Sequence, residues 1–378
     1  MSRARRDGAR PSAGVTGVVA AAVLCFVLLF ATPGPTAAQV GDRLYVPNQP
    51  DATVSVIDTE SRSVVQTIDL QELGFPPDAK PHDVVAAPDG SAWYVSLIGA
   101  NTVVKFNADN EVVGRASFEV PGMMALPGDG GTLYVGRSMS AVNPPQSVGR
   151  IRTSEMTAEG VTAERVEVLF PRPHAIATDG EGRYLHTASL SVNRIAALEA
   201  GSETPEIITV DGPTHTFVQF AVSPDGRRLV ATGQTSGRLL VFDRTQPKRL
   251  PLLASIEVGT EPWHPVFTPD GRYVVFGNKQ DDTVTVVDTE DWTVAAVVED
   301  GALSQPHGAV AGTDGRYVYV SSNNLDGAWK PEGWSSPERG GEASPPGNVA
   351  VIDLETRSVV DVIPVGHDPN GIGLLPGS

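Results

Sequence analysis

A β-branched strand pair wrapped around an acidic turn recurs along this chain, and that recurrence limits the fold more than any other feature. It reads VSVIDTESRSVVQTIDL from Val54, VVKFNADNEVVGRASF from Val103 and RIRTSEMTAEGVTAERVEVL from Arg150. It continues as RIAALEAGSETPEIITV from Arg194, LLVFDRTQPKRLPLLASIEV from Leu239, VTVVDTEDWTVAAVVED from Val284 and VAVIDLETRSVVDVIPV from Val349, making seven copies. Between copies lie two shorter apolar strands joined by an acidic-glycine turn: Asp89-Gly90, Asp129-Gly130, Glu181-Gly182, Asp225-Gly226, Asp270-Gly271 and Asp314-Gly315, with a degenerate Pro376-Gly377 at the end. Glycine accepts the positive φ of such turns, so this pattern marks a hairpin.

Each unit therefore supplies about four short strands over roughly 40–60 residues, the period of a propeller blade. A helical solenoid would space its apolar residues by 3.6, whereas these strands alternate or run briefly apolar. The chain begins on a second strand at Leu44 and ends on a first strand, Ile372 to Leu375. The two ends should complete one blade between them and leave no open sheet edge. The expected fold is all-β: a seven-bladed β-propeller of four-stranded blades over residues 39–378, with eight blades as the alternative.

Ahead of the repeat, Arg3, Arg5, Arg6 and Arg10 precede an apolar stretch from Val15 to Ala31 and small residues at Thr36 and Ala38. A basic start, an apolar core and small residues at the cleavage point define a secretory signal peptide over residues 1–38. Cleavage is placed after Ala38, with an uncleaved anchor as the alternative, and the mature protein is expected to be periplasmic or secreted without a stable membrane span. The single cysteine, Cys25, falls inside this segment. The mature chain then has no disulfide, thiolate ligand or cysteine nucleophile. The formal charge is −17 overall, and residues 1–38 contribute about +3 of it, so the mature protein is still more acidic. That charge disfavours nucleic acid and anionic membrane surfaces as partners. A monomer with a small ligand or a protein partner is expected.

Seven histidines remain, and most share one place in the repeat. His82, His174 and His307 each follow proline, seven residues before the acidic turn residue. His264 lies one position later, with Trp263 in the matching slot. The second copy has Gly122 and Met123 there; the last has Asn370, with His367 three residues upstream. His215 stands three residues before its slot, which Val218 fills, and His186 sits mid-strand, where packing is expected. The slot opens the innermost strand of each blade, so its side chains should ring one mouth of the central channel.

Ligands of one metal ion must lie within a few ångströms of one another. Only neighbouring blades should share an ion, which gives two candidate sectors: His82, Met123 (or Met124) and His174; and His307, His367 or Asn370, and His82. Imidazole with thioether and no thiolate suits copper, with zinc, iron or haem behind it. Two long segments, 137–148 and 325–347, join second to third strands on the same face, and segments of this length usually carry function. Trp329 and Trp334 on the second could fold over the mouth. With Trp263 and Asn370 they are the expected cofactor contacts.

The pieces LYVPNQPDATVSVIDTESRSVVQTI and PDGRYVVFGNKQDDTVTVVDTEDWTVAAVV resemble the YVTN/YncE-like propeller repeat family, across nearly the whole mature chain. That family sits in a wider group with cytochrome d1 and the nitrous-oxide-reductase propeller. The resemblance implies a seven-bladed propeller, and the group implies haem on one axial histidine or histidine-bound copper. Nitrous oxide reductase uses more histidines than this chain offers, and the absence of Cys-x-x-Cys-His excludes covalent haem c. The pieces around His174 and His307 are also similar to streptogramin lyases, which imply a histidine base beside a glutamate and Mg²⁺. Here the matching strands AWYVSL, RYLHTA and RYVYVSS carry no glutamate. Ligand or metal binding is therefore the first expectation, with a protein-interaction scaffold and a lyase or lactonase as alternatives.

Overall fold

The computed structural model describes residues 41–137, 143–335 and 344–377. The repeat folds into seven blades of four antiparallel strands, and the sheet of blade 2 gains a fifth, parallel strand at its outer edge. Blade 1 places Gly373–Leu375 innermost, beside Arg43–Asn48, Thr53–Asp58 and Ser63–Asp69. Arg43 pairs with Leu375 and Tyr45 with Gly373, so the two ends of the chain close the ring. Blades 2 to 7 follow in chain order, with innermost strands Pro81–Ala86, Met124–Ala125, Pro173–Thr178, Phe217–Val222, Val266–Phe267 and Pro306–Ala311. No helix among the described residues is long and apolar enough to cross a membrane. The expected signal segment lies outside the described residues, as do 138–142 and 336–343 within the two long segments.

The core lies between blades rather than within them. Successive side chains of a strand point to opposite faces. In Thr53–Asp58, Val54 and Val56 pack toward blade 2 with Trp93 and Phe106, whereas Ile57 packs toward blade 7 with Tyr319 and Val351. Seven such apolar clusters, each shared by two consecutive blades, run round the ring. The alternating β-branched pattern of the repeat serves this geometry, because both faces of every blade are buried.

The acidic-glycine turns form as the sequence requires. Gly90, Gly226, Gly271 and Gly315 all have φ near +70°. In the same turns Asp89, Asp225, Asp270 and Asp314 each accept a hydrogen bond from the backbone N–H two residues on. That side-chain bond mimics a backbone turn and fixes the hairpin.

The third repeat copy departs from a simple strand pair. After Ser147–Arg152 the chain makes a 3-10 turn, Thr153–Glu155, and Val161–Thr162 then pairs in parallel with the outermost strand of blade 2. Met156 and Ala163 are buried against Val103, Ala116 and Phe118, which anchors this excursion onto the neighbouring blade. Gly114 permits it, since a Cβ there would lie 2.4 Å from the Met156 carbonyl oxygen.

Candidate functional site

The slot histidines sit where the innermost strands leave regular pairing. Register shifts fall between Pro81 and Val84, between Pro173 and Ala175, and between Pro306 and Ala309. Proline donates nothing to the ladder, and the irregularity that follows re-aims the next side chain. The same residues bond to neighbouring blades. Gly371 N–H donates to the His82 carbonyl at 3.0 Å, and the His174 Nδ1–H donates to the Val218 carbonyl at 2.5 Å. Met124 N–H donates to Asp83 Oδ2 at 2.7 Å.

Four imidazoles gather at this mouth. His264 and His307 lie 4.7 Å apart between ring centroids, and His82 and His174 lie 6.3 Å apart, both edge to face. Trp263 packs 4.2 Å from His307 and 5.8 Å from His264. All four histidines are at least 94% buried. Burial, which disfavours the charged imidazolium, holds His82 down to about 3 and His174 to about 4, and holds His264 and His307 well below the ordinary histidine value. The rings also act on one another, and the Lys279 ammonium adds to the effect at His82, His264 and His307. The cluster is therefore neutral at pH 7.

Several of its polar atoms are buried without a partner: Nε2 of His82, Nε2 of His264, Nδ1 of His307 and the indole Nε1 of Trp263. Buried polar atoms are ordinarily hydrogen-bonded, and a bound water, ion or other ligand is one way such an exception is met. His174 commits Nδ1–H to Val218, which leaves its Nε2 as the bare nitrogen. His82 Nδ1 meets the Gln49 side-chain nitrogen at 2.9 Å.

Other candidates lie elsewhere. Met123 is buried in the apolar cluster between blades 3 and 4, and Met124 in that between blades 2 and 3. Neither thioether stands among the imidazoles. His367 turns to the junction of blades 7 and 1, where Nδ1 meets the Asp51 carboxylate at 3.0 Å and Nε2 meets the Ser344 carbonyl at 3.1 Å. The neighbour that His307 gains is thus His264, not His367 as the repeat count suggested. Asn370 is buried, with its side chain donating to the Asp368 carbonyl. The Trp329 backbone is held by the Asn324 side chain, and Trp334 lies under Lys330, so neither indole touches the four imidazoles. His186 is fully buried and bonded to the Pro247 carbonyl, and His215 is bonded to Ser236.

Two residues at the mouth escaped the sequence reading. Gln49 and Lys279 hold the same register, each following the last asparagine of its blade's second strand: Asn48-Gln49 and Asn278-Lys279. Those asparagines play identical parts, Asn48 donating to Thr53 and Ser55 and Asn278 to Thr283 and Thr285. The shared register was the signal that could have found the pair. Clefts also lie at the other ends of the strands, between the acidic-glycine turns; one of about 460 Å³ is lined by Asp179, Arg183, Asp225 and Arg244. The unpartnered imidazoles make the mouth the candidate site.

The fold and this mouth define a β-propeller with a buried imidazole cluster on its axis. No protein-family profile matches the chain, and no curated protein matches it by sequence. Among solved structures it is similar to Kuenenia stuttgartiensis hydrazine synthase, with 19% identity over 78% of this chain and 89% of that one and a TM-score of 0.61. It is also similar to a functionally unknown protein from Desulfotomaculum acetoxidans, with 13% identity over 88% and 99% of the two chains and a TM-score of 0.67. At these identities the likeness carries the fold alone.

Proposed function

We propose that this chain is an exported, periplasmic or secreted ligand-binding propeller whose occupant sits among His82, His174, His264 and His307, with copper as the ion those residues suit best. The observation that carries this reading is the set of buried, unpartnered imidazole nitrogens on His82, His264 and His307, with His82 offering its Nε2 once the Gln49 amide turns its oxygen to Nδ1–H. Neutral imidazole is the form that ligates a metal, and burial keeps all four rings neutral.

Spacing supports a shared ion. A metal–nitrogen bond of about 2.0 Å places each ring centroid about 3.2 Å from the ion, so two ligating rings stand about 4.5–6.4 Å apart as the angle between them opens from square to linear. The observed 4.7 Å and 6.3 Å both fall in that interval. Among the described residues no three His, Cys, Asp or Glu side chains are grouped to hold a metal. A two-imidazole site therefore fits better than a four-coordinate zinc centre, and cuprous copper accepts two imidazoles readily.

The test is elemental analysis of mature protein purified without chelator, then copper titration against a chromophoric competitor. A His82→Ala/His174→Ala/His307→Ala variant, checked for fold by circular dichroism, runs beside it. Near-stoichiometric copper in the wild type and none in the folded variant is the expected result. Wild-type protein that stays metal-free after copper incubation rules out the metal.

A further inference from the structure

Lys279 presents a problem of charge. It is largely withdrawn from water, and its ammonium lies 4.8 Å from the Trp263 ring centroid. No carboxylate forms an ion pair with it among the described residues. Asp368 and Glu261 influence it only from a distance. Scarcity of partners is no explanation, since the chain has 45 Asp and Glu against 28 Lys and Arg. An unpaired cation held out of water is costly unless something neutralises it.

Besides the Asp368 and Glu261 carboxylates, donors gather near its ammonium. Trp263 Nε1–H can only donate, and it is buried and unpartnered. His307 Nδ1 and His264 Nε2 are also unpartnered, and either ring can place its one proton there. The three rings stand within 5.8 Å of one another, centroid to centroid. An ammonium, an indole N–H and two adaptable imidazole nitrogens in one neighbourhood can serve negative oxygen, because charge-assisted hydrogen bonds are the strongest such groups can form. A metal cation alone would feel the ammonium as repulsion, and an anion beside it removes that penalty.

We infer that the Lys279–Trp263–His307 side of the mouth is an anion subsite, taking a compact oxyanion: a carboxylate group or a small inorganic oxyanion. The inference rests on the proposed ligand site only in placing the occupant at the mouth; it needs no metal. It also gives Lys279 and Gln49 distinct roles in one register, since Gln49 braces His82 while Lys279 supplies charge.

The experiment titrates metal-free wild-type protein with acetate, nitrate and phosphate in turn. It follows heat by calorimetry and the indole N–H resonance of Trp263, assigned with Trp263→Phe. Saturable binding of at least one anion is expected, with a shift of that resonance. Lys279→Met should weaken binding at least tenfold, while Lys279→Arg keeps it within a few-fold. Acetate binding without nitrate or phosphate assigns an organic carboxylate, and the reverse assigns an inorganic oxyanion. Absence of saturable binding by all three anions overturns the inference, as does undiminished binding by folded Lys279→Met. Copper uptake without anion binding would leave the metal reading standing alone. Anion binding without copper would retire the metal and keep the subsite.

Discussion

Arg244 of blade 5 reaches Asp179 of blade 4 at 2.9 Å, with both side chains about nineteen-twentieths buried. The guanidinium also donates to the Gly226 carbonyl at 3.0 Å. Burial alone would push the Asp179 carboxyl up, but the hydrogen bond and charge of Arg244 hold it below the usual carboxylate range. The pair bolts two blades together on the face opposite the imidazole cluster.

Removing one partner of such a pair strands the other charge. Arg244→Met should lower unfolding free energy by about 3–5 kcal/mol, and the double variant Arg244→Met/Asp179→Asn should recover a large part of that loss. Urea denaturation of the wild type, both singles and the double measures this. A single variant within experimental error of wild type would show the pair to be incidental.

Acid should unfold the metal-free protein early. His82, His174 and His186 are pushed down to about 3, 4 and 4 by burial. In the unfolded chain these side chains take up protons as pH falls through about 6.5, whereas the folded state resists until near its own depressed values. Stability is therefore full above about pH 6.5 and declines below it, by about 2 kcal/mol per buried imidazole at pH 5. Thermal midpoints measured from pH 8 to pH 4.5 should fall steeply below 6.5, and less steeply in a His82→Gln/His174→Gln variant. A flat profile between pH 7 and pH 5 would contradict the buried, neutral cluster.

Asp83 works in the opposite direction. Its carboxyl is buried beside His82 and is pushed up to about 7, chiefly by desolvation, although Met124 N–H and Val84 N–H donate to it. The folded state therefore holds a proton that the unfolded chain has released, and this contribution to stability is lost as pH rises through 7. Asp83→Asn keeps an oxygen to accept from Met124 and removes the charge. The variant should match wild type only below about pH 4, exceed it by about 1–2 kcal/mol at pH 5 and by about 4 kcal/mol at pH 8.5. Chemical denaturation at pH 5 and pH 8.5 separates this from a uniform packing effect, which would shift both alike.

Much of this architecture is legible in the residues because it is local. Asp89-Gly90 and its counterparts specify their turns within four residues, and the alternation in Thr53–Asp58 specifies two buried faces. The imidazole slot was legible for the same reason: a proline at a strand start followed by histidine in three repeats, His82, His174 and His307, fixes a register. What register does not convey is which way a side chain leaves a strand end. His367 was counted into the ring, yet the Asp51 carboxylate draws it outward, and His264 turns in to meet His307. Met123 occupied the right slot, but an apolar thioether finds more contact between blades than in a polar mouth. The strand Val161–Thr162 escaped notice because its partner, Ala116–Ser117, lies more than forty residues away and pairs in parallel.

Ring closure is the most exposed dependency of the fold. Gly373–Leu375 pair in register with Arg43–Tyr45, Asn370 N–H donates to the Pro47 carbonyl, and Ile372 and Leu375 are buried in the clusters that seal blade 1 to blades 7 and 2. Gly373 is required for the fit, since a Cβ there would stand 2.7 Å from Val84 Cγ1 and 2.8 Å from the Val84 carbonyl oxygen. Deleting residues 372–378 removes two buried aliphatic side chains, worth about 1.5–3 kcal/mol each, and leaves Arg43–Asn48 as an open edge. The truncated protein should lose several kcal/mol of stability and self-associate through that edge, whereas Gly373→Val should destabilise while keeping the strand. Size-exclusion chromatography with light scattering, paired with thermal unfolding, reads both effects. A truncated chain that stays monomeric at wild-type stability would mean that blade 1 holds without its innermost strand, and that the inter-blade clusters rather than the backbone ladder close the ring.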